Sequence, residues 1–480
     1  MAATFYNGCG HGLPASCRPP LCATPDDCGD EVRPRARAPV VPAGRAAVVR
    51  AAIRKERIAV VGANGTGPSR AKNVILLIGD GMGQAHRFAG QLFSAGRTHR
   101  LAMDRLPVSG SMRTLSADPA SFVTDSAAAA TALATGVKTS NGAVAIDLDG
   151  HSRTTVLELA KRSGRSAGLV TTCQITDATP AAFAAHVRHR SDQSEIARQF
   201  VSETGVDVLL GGGAAHWFPE GEQTALPNDP DDPRDRALGT AGDLTLEAMG
   251  AGYRVVSSAA GLAKVTAKRS GLAPKVLGLF ANQEMFRQSA EGQGDRYDPP
   301  VSLAEMTEAA IDLLARNPNG FFLMVEESAI DRMAHRNNAP LTIKGVLELD
   351  RAVQVALAFA ERDPDTLVVV TADHECGGLA VAGSDDPPYP YEPGGGLLDT
   401  VLAGEDGPFP VADAPYGFVM GWATTGHTAA AVPVTAQGPG AEGFAGVVEN
   451  TDVFHVMVDA MDLAHAPAQT DRDVAAVGDD

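Results

Sequence analysis

The sequence predicts an α/β fold in which helices flank both faces of a mostly parallel central sheet. Three observations support this prediction: apolar runs of strand length alternate with helical patterns, the helices have clear end signals, and loop-rich insertions interrupt the framework. The predicted strands are residues 74–78, 167–171, 206–210, 321–325 and 367–371. A chain of 480 residues, 44% of them hydrophobic and 20% charged, can bury a sizeable core.

Glycine and proline mark where the predicted helices end. The alanine-rich run after Ser126 stops at Gly136, the segment 154–163 stops at Gly164, and the segment 341–362 stops before Pro364. Two segments rich in Pro, Gly and Asp, residues 219–239 and 384–415, are predicted to be surface loops inserted between these elements.

The composition divides the chain into three parts. Residues 1–71 are rich in Cys, Arg and Pro without a sustained apolar period, which predicts a flexible N-terminal extension. Residues 72–465 form the predicted folded domain, and residues 466–480 form a predicted flexible acidic tail. Four of the six cysteines lie within the first 28 residues, where disulfides, a metal site or an incorrectly assigned start all stay open.

The charge distribution limits the classes of partner. Residues 1–72 contain 11 Lys and Arg against 5 Asp and Glu, whereas the rest of the chain has a net charge of −24. Because an acidic body repels nucleic-acid backbones, no nucleic-acid binding is expected, and an anionic substrate must be held by bound cations or by a suitably placed Arg. No run approaches ~20 apolar residues, so no membrane span is expected, and residues 1–30 show no secretory signal pattern.

Side chains of the types that bind metal ions follow three of the predicted strands. In an open parallel sheet, ligands bind beyond the carboxyl ends of the strands. The residues at those positions are Asp80, Glu326, Asp331, Asp373 and His374. Each alone could belong to a turn, a loop or an exposed helical pair, but carboxylates and imidazoles after three separate strands have no shared structural reason to recur.

The run VTDSAAAAT (residues 123–131) places the hydroxyl of Ser126 at the start of an alanine-rich helix. Free backbone N–H groups and the helix dipole favour phosphate at such a position, where a nearby metal ion could hold the hydroxyl as an alkoxide nucleophile. The alternative is that Asp125 and Ser126 only cap the helix.

From about Lys72 to Met461 the sequence resembles the alkaline phosphatase family. The motifs that carry the resemblance are NVILLIGDGMG (73–83), DSA (125–127), DATP (177–180), DRMAH (331–335), TADHE (371–375), GHT (426–428) and GPGAE (438–442). The last two are similar to those of the compact bacterial branch. The resemblance implies hydrolysis of phosphate monoesters with broad specificity, through a phosphoserine on Ser126 and with release of inorganic phosphate.

The resemblance also implies two zinc ions. The ligands of the first would be Asp331, His335 and His427, and those of the second Asp373 and His374. Two such ions about 4 Å apart stabilise the attacking and leaving oxygens of an in-line displacement.

One magnesium ion is implied in the same way. Asp80 would bridge it to the second zinc ion, Thr179 and Glu326 would be direct ligands, and Asp177 would contact it through water. These are oxygen ligands, which suit a hard cation.

Arg190 follows Asp177 by thirteen residues, the family's offset for the arginine that clamps the phosphate, with Arg188 as the nearest alternative. A guanidinium offers a bidentate fork that matches phosphate. The chain departs from the family at Arg332, where the family varies, and an ion pair with Asp177 near the phosphate is predicted. Cys376 follows the TADHE motif and is interpreted as a buried thiol rather than a ligand.

Sulfatases, nucleotide pyrophosphatases and metal-dependent phosphoglycerate mutases share this metal framework. A sulfatase requires Cys-x-Pro-x-Arg, whereas the run CRPPL (17–21) ends in Leu. Phosphodiesterases typically lack the magnesium ligands and the arginine clamp, and a silent metal-binding protein would need a broken ligand, which this chain does not show. Family members occur as homodimers or monomers and usually work outside the cytoplasm, so the oligomeric state and the localisation stay open.

Overall fold

The computed structural model describes residues 70–229, 232, 234–267, 271, 273–287, 296–383 and 407–463. The predicted extension therefore lies outside the described residues except for its last two, and the predicted tail lies outside them entirely. Most of the predicted loop 384–415 also lies outside. The segment 219–239 has no helix or strand among its described residues, which agrees with the loop predicted there.

Fifteen strands occur among the described residues. They are β1 (Asn73–Gly79), β2 (Val108–Arg113), β3 (Ser166–Gln174), β4 (Val208–Gly212), β5 (Tyr253–Val256), β6 (Lys275–Leu279), β7 (Phe321–Glu327), β8 (Thr366–Thr371), β9 (Glu375–Cys376), β10 (Ala380–Gly383), β11 (Phe409–Pro410), β12 (Gly417–Gly421), β13 (His427–Thr428), β14 (Val432–Gln437) and β15 (Gly446–Glu449). All five predicted strands are present, as β1, β3, β4, β7 and β8. Of these, β3 continues to Gln174 and β7 to Glu327, so Glu326 lies within its strand rather than after it.

Ten of these strands form one central sheet, in the order β15-β2-β14-β8-β1-β7-β3-β4-β6-β5. Only β14 runs antiparallel to its neighbours, β8 and β2, and every other pairing in this sheet is parallel. The predicted mostly parallel sheet is therefore confirmed. Every residue of β1, β7 and β8 is buried, as expected for central strands covered on both faces.

Eleven α-helices accompany the sheet within the described residues. They are α1 (Gln84–Ser94), α2 (Ser126–Thr135), α3 (Val156–Arg162), α4 (Ala178–Ala184), α5 (Gln193–Ser202), α6 (Leu244–Gly250), α7 (Ala259–Thr266), α8 (Leu303–Leu314), α9 (Ala329–Ala334), α10 (Ala339–Arg362) and α11 (Asn450–Met461). Two sets of helices lie against the central strands. In the first, α10 packs on α1 and α8, and in the second, α2 packs on α4 and α11. The predicted flanking of the sheet by helices is confirmed.

Local sequence explains the helix ends that matter for the site. Helix α2 starts at Ser126 because Asp125 caps it, and it stops at Gly136, whose φ of 72° is left-handed and favours glycine. Helix α3 is held by a capping box between Thr155 and Glu158. The predicted stops at Gly136 and before residue 363 are confirmed.

The sheet register brings the carboxyl ends of four neighbouring strands together. Thr371 of β8, Ile78 of β1, Glu326 of β7 and Thr171 of β3 are paired in one row across the sheet. The chain leaves the sheet just beyond this row. Residues that follow these strands closely in sequence therefore lie at one edge, where an open parallel sheet binds its ligand.

Candidate active site

Ser126 is the first residue of α2 and is buried to 4% exposure. Its Oγ lies 3.2 Å from Nε2 of His374. The side chain of Asp125, not that of Ser126, caps the helix, because its Oδ1 accepts the N–H of Ala128 at 2.9 Å. The capping interpretation is thus correct for Asp125, and it leaves the Ser126 hydroxyl beside an imidazole at a helix N-terminus.

Asp331, His335 and His427 form one group of possible metal ligands. Nε2 of His335 lies 3.2 Å from Asp331 Oδ2 and 3.0 Å from His427 Nε2, and His427 Nε2 lies 3.4 Å from Asp331 Oδ1. The Nδ1 atoms of the two rings lie 2.6 and 2.9 Å from the carbonyl oxygens of Thr425 and Thr124. Those contacts fix the rings with both Nε2 atoms directed at the carboxylate, as ligating histidines require.

Asp80, Asp373 and His374 form a second group, which is almost entirely buried. His374 Nε2 lies 3.5 Å from Asp80 Oδ1 and 3.2 Å from Asp373 Oδ2. The other oxygen of Asp373 accepts the backbone N–H groups of Gly81 and His374, at 3.1 and 2.9 Å. Asp373 is therefore held by one oxygen and presents the other to the group.

Glu326 and Thr179 lie at the third predicted metal position. Oε2 of Glu326 accepts the hydroxyl of Thr171 at 2.6 Å. The hydroxyl of Thr179, at the start of α4, lowers the pKa of Glu326. Burial raises the pKa of Glu326 most, and the carboxylate of Asp177 raises it further by charge repulsion.

The donor atoms of these three groups fit metal ions. Within these groups, five buried atoms have no hydrogen-bond partner among the described residues: Asp80 Oδ1, Thr179 Oγ1, Asp331 Oδ1, Asp373 Oδ2 and His374 Nδ1. Native proteins rarely leave buried polar atoms unpaired, so a cluster of them needs an explanation. Bound cations would supply it for the oxygen atoms, because carboxylate, hydroxyl and imidazole groups are the ligands of zinc and magnesium.

The pKa values of the buried carboxyl groups lead to the same inference. Burial raises the pKa of Glu326 to about 8 and that of Asp373 to about 6. Burial also raises the pKa of Asp80, and the neighbouring carboxylates of Asp373 and Asp331 raise it further. Several acids that resist ionisation at one place need positive charge to become carboxylates together.

Two arginines meet at the carboxylate of Asp177. Arg190 Nη2 donates to Asp177 Oδ1 at 2.9 Å, and Arg332 Nη2 donates to Asp177 Oδ2 at 3.0 Å, so the predicted ion pair of Arg332 is present. Burial raises the pKa of Asp177, but the two guanidinium groups outweigh burial and lower it overall. Arg190 Nη1 also lies 3.4 Å from Asp125 Oδ2. Arg188, by contrast, is exposed.

A cavity of about 430 Å³ opens above these groups. Its lining includes Ser126, Arg190, Arg332, His335 and His427. The hydroxyl at the N-terminus of α2, the histidine pair and the guanidinium groups therefore face one space. Such a space can hold a tetrahedral anion beside the serine oxygen.

The structure brings all eleven predicted site residues to this edge of the sheet, and it adds others that the sequence interpretation missed. Thr171 donates to Glu326, and the thiol of Cys173 donates to Asp177 Oδ2 at 3.2 Å. Thr171 ends the predicted strand 167–171, so its position was a usable signal. Nothing in the sequence marks Cys173.

Cys376 is buried, as predicted, and its Sγ lies 3.8 Å from the carbonyl oxygen of Asp331. It belongs to the group of Asp331, His335 and His427, whose ligand atoms all lie within 4.8 Å of one another. The thiol also packs in an apolar cluster with Trp422. The interpretation of Cys376 as a buried thiol rather than a ligand stays a prediction.

The family profile for alkaline phosphatase matches residues 71–389 and 418–463. The chain belongs to the alkaline phosphatase family. Among curated relatives, the alkaline phosphatase of Escherichia fergusonii is 36% identical over 82% of this chain and 86% of its own length. The streptomycin-6-phosphate phosphatase of Streptomyces griseus is 38% identical over 83% of this chain and 92% of its own length.

Solved structures agree with this assignment. The alkaline phosphatase of the Antarctic bacterium TAB5 is 30% identical, with a TM-score of 0.65, and covers 82% of this chain and 100% of its own. A variant of the TAB5 enzyme, 29% identical with a TM-score of 0.62 over 82% of this chain and 99% of its own, has magnesium bound in its M3 site. This alkaline phosphatase family member is a phosphatase with groups that can hold metal ions. Among its described residues, no helix combines the length and apolar character needed to cross a membrane.

Proposed function

We propose that this protein is an alkaline phosphatase that hydrolyses phosphate monoesters with broad specificity through a phosphoserine on Ser126. The observation that carries the proposal is the position of Ser126 Oγ, 3.2 Å from His374 Nε2 at the N-terminus of α2. The same cavity contains Arg190, His335 and His427. The residues that we propose as nucleophile, metal ligands and phosphate clamp thus line one cavity, which supports the proposal.

Two zinc ions and one magnesium ion complete the proposal. Asp331, His335 and His427 would hold the first zinc ion, and Asp373 and His374 would hold the second. Asp80 would be a ligand both of the second zinc ion and of the magnesium ion. Thr179 and Glu326 would be further magnesium ligands, with Asp177 near the same ion. When bound, these ions would neutralise charge on the phosphoryl oxygens and favour the ionised forms of the serine hydroxyl and of water.

The first displacement transfers the phosphoryl group from the alcohol oxygen of the substrate to Ser126. The hydroxyl of Ser126 gives up its proton to solvent, its Oγ attacks phosphorus to form a serine oxygen to phosphorus bond, and the bond to the alcohol oxygen breaks on the opposite side. The alcohol oxygen takes a proton from solvent. Arg190 holds two oxygens of the transferring group, and it is kept in place by Asp177 and Asp125.

The second displacement returns the enzyme to its starting state. Water gives up a proton and attacks the phosphorus of phosphoserine, its oxygen to phosphorus bond forms, and Ser126 Oγ leaves and takes up a proton from solvent. The free N–H groups at the start of α2 and the Arg190 guanidinium hold the phosphoryl group in both steps. Two in-line displacements give retention at phosphorus and release inorganic phosphate.

A comparison of monoester and diester hydrolysis tests the proposal. The purified protein should hydrolyse p-nitrophenyl phosphate much faster than bis(p-nitrophenyl) phosphate, because the clamp and the buried groups fit a terminal phosphoryl group. Removal of metals with a chelator should abolish the activity, and zinc with magnesium should restore it. Faster diester hydrolysis, or full activity in the metal-free protein, would overturn the proposal.

A further inference from the structure

Gln193 lies at the active-site cavity, and a hydrogen bond holds the oxygen of its side-chain amide. It is the first residue of α5 and contributes to the lining of the active-site cavity. The hydroxyl of Thr176 donates to Gln193 Oε1 at 2.6 Å, and Thr176 itself is fully buried. Since Thr176 directly precedes Asp177, this hydrogen bond ties the amide to the segment that positions Arg190.

The other half of the amide is available to a ligand. Within the described parts of the chain, Gln193 Nε2 has no hydrogen-bond partner. The second glutamine of the cavity, Gln174, differs in this respect, because its Nε2 donates to Gln283 Oε1 at 3.1 Å. Gln193 is therefore an uncharged donor at the cavity, held in place by its own oxygen.

The chemistry of the cavity decides what this donor contacts. In the proposed mechanism the phosphoryl group lies at Ser126 and Arg190, so the alcohol portion of the ester occupies other parts of the cavity, whose lining includes Gln193. An amide N–H donates well to a neutral oxygen, whereas the charged guanidinium groups nearby already serve anions. An amide fixed by Thr176 also loses less conformational freedom on binding than a mobile side chain.

We propose that Gln193 Nε2 donates a hydrogen bond to a hydroxyl or ether oxygen of the alcohol portion of the substrate. Esters of polyhydroxylated alcohols, such as sugar and polyol phosphates, are then preferred over esters of alcohols without such oxygens. This inference rests on the proposed phosphatase function. It assigns a specificity-determining residue to a site whose other contacts hold only the phosphoryl group.

Two esters with the same carbon skeleton test the proposal. Glycerol 2-phosphate and propan-2-yl phosphate differ only by two hydroxyl groups, so the ratio of their kcat/KM values isolates the effect of those hydroxyls. Gln193→Met is close in shape and lacks the donor. It should lower the ratio by about three- to tenfold, as expected for one neutral hydrogen bond. Thr176→Val should lower it less, because the donor remains but is no longer fixed.

Glu195→Gln is the matched control. Glu195 lies on the same helix, its side chain is exposed and paired with Arg198, and the ratio should not change. Gln193→Glu, which keeps an acceptor for Thr176 but lacks the donor, should also lower the ratio and serves if Gln193→Met fails to fold. If the Gln193 variants fold and still hydrolyse p-nitrophenyl phosphate, an unchanged ratio of the two kcat/KM values would overturn the inference. Loss of that hydrolysis in the parent protein would instead overturn the proposed function.

Discussion

Replacing Arg190 with Ala should weaken phosphate binding while the metal-ligating groups stay intact. Two of the five N–H donors of the guanidinium are engaged, one with Asp177 at 2.9 Å and one with Asp125 at 3.4 Å. One N–H group on each terminal nitrogen is left, and we expect these two to contact the phosphate. A hydrogen bond of a charged group contributes roughly 1.5–3 kcal/mol, and partial exposure of the side chain reduces this, so the loss should be about 2–4 kcal/mol. That corresponds to about a 30- to 1,000-fold loss in affinity.

The assay is steady-state kinetics with p-nitrophenyl phosphate, together with inhibition by inorganic phosphate and metal analysis. Arg190→Ala should raise KM and weaken phosphate inhibition at nearly normal zinc content. Arg188→Ala is the matched control, since Arg188 is exposed and lies only two residues away. If Arg188→Ala shows this behaviour and Arg190→Ala does not, the assignment of the clamp is wrong.

A second variant separates the lost clamp from a side effect of the substitution. Without Arg190, the buried Asp177 loses one of its two arginine partners and keeps only its ion pair with Arg332. Asp177→Asn in the Arg190→Ala background removes this carboxylate charge, which Arg332 alone compensates only in part. If the double variant regains the phosphate affinity of the parent, the single variant failed because of Asp177, and the reasoning about the clamp is refuted.

Two further predictions concern the metals. Asp177→His should require more magnesium for full activity, start more slowly after metal addition and show altered phosphate affinity, because an imidazole favours zinc and the ion pair between Arg332 and Asp177 is lost. Identical magnesium curves at fixed zinc would contradict the placement of Asp177 near the third metal. The metal-free protein should lose thermal stability as the pH rises from about 5 to 8, because the folded pKa of Glu326, about 8, exceeds its ordinary value of 4.5. Between these two pKa values the folded state binds more protons than the unfolded state, and each pH unit costs up to about 1.4 kcal/mol. His427, whose pKa the Asp331 carboxylate raises against burial to about 9, changes stability in the same direction, and an equal decline with zinc and magnesium present would contradict the metal assignment.

The sequence predicted the central strands and missed those near the edges of the sheet. β1, β7 and β8 are continuous apolar runs because both of their faces are covered. β2, by contrast, has the sequence VSGSMR and one fully buried residue, and β14 contains a proline. Such strands carry little local signal and are fixed by pairing with distant segments, so the antiparallel β14 could not be predicted from apolar runs.

The resemblance identified the site residues themselves. It did not identify the neighbouring groups that hold those side chains in place. Asp331 and His335 were recognised, but the backbone carbonyls of Thr124 and Thr425 that orient the histidine rings have no sequence signature. Gln193 likewise gains its importance only because α5 brings it beside the buried Thr176. Contacts between segments far apart in sequence depend on the fold, which local patterns do not specify.

The most direct test of the proposed function is the identity of the residue that becomes phosphorylated. The enzyme should be mixed with a phosphate monoester, quenched with acid within the turnover time and analysed by peptide mass spectrometry. We expect phosphate on Ser126, and we expect Ser126→Ala to lose this phosphopeptide and most, but not all, of its turnover. Phosphate on a different residue of the parent enzyme, or unchanged turnover in Ser126→Ala, would contradict the mechanism.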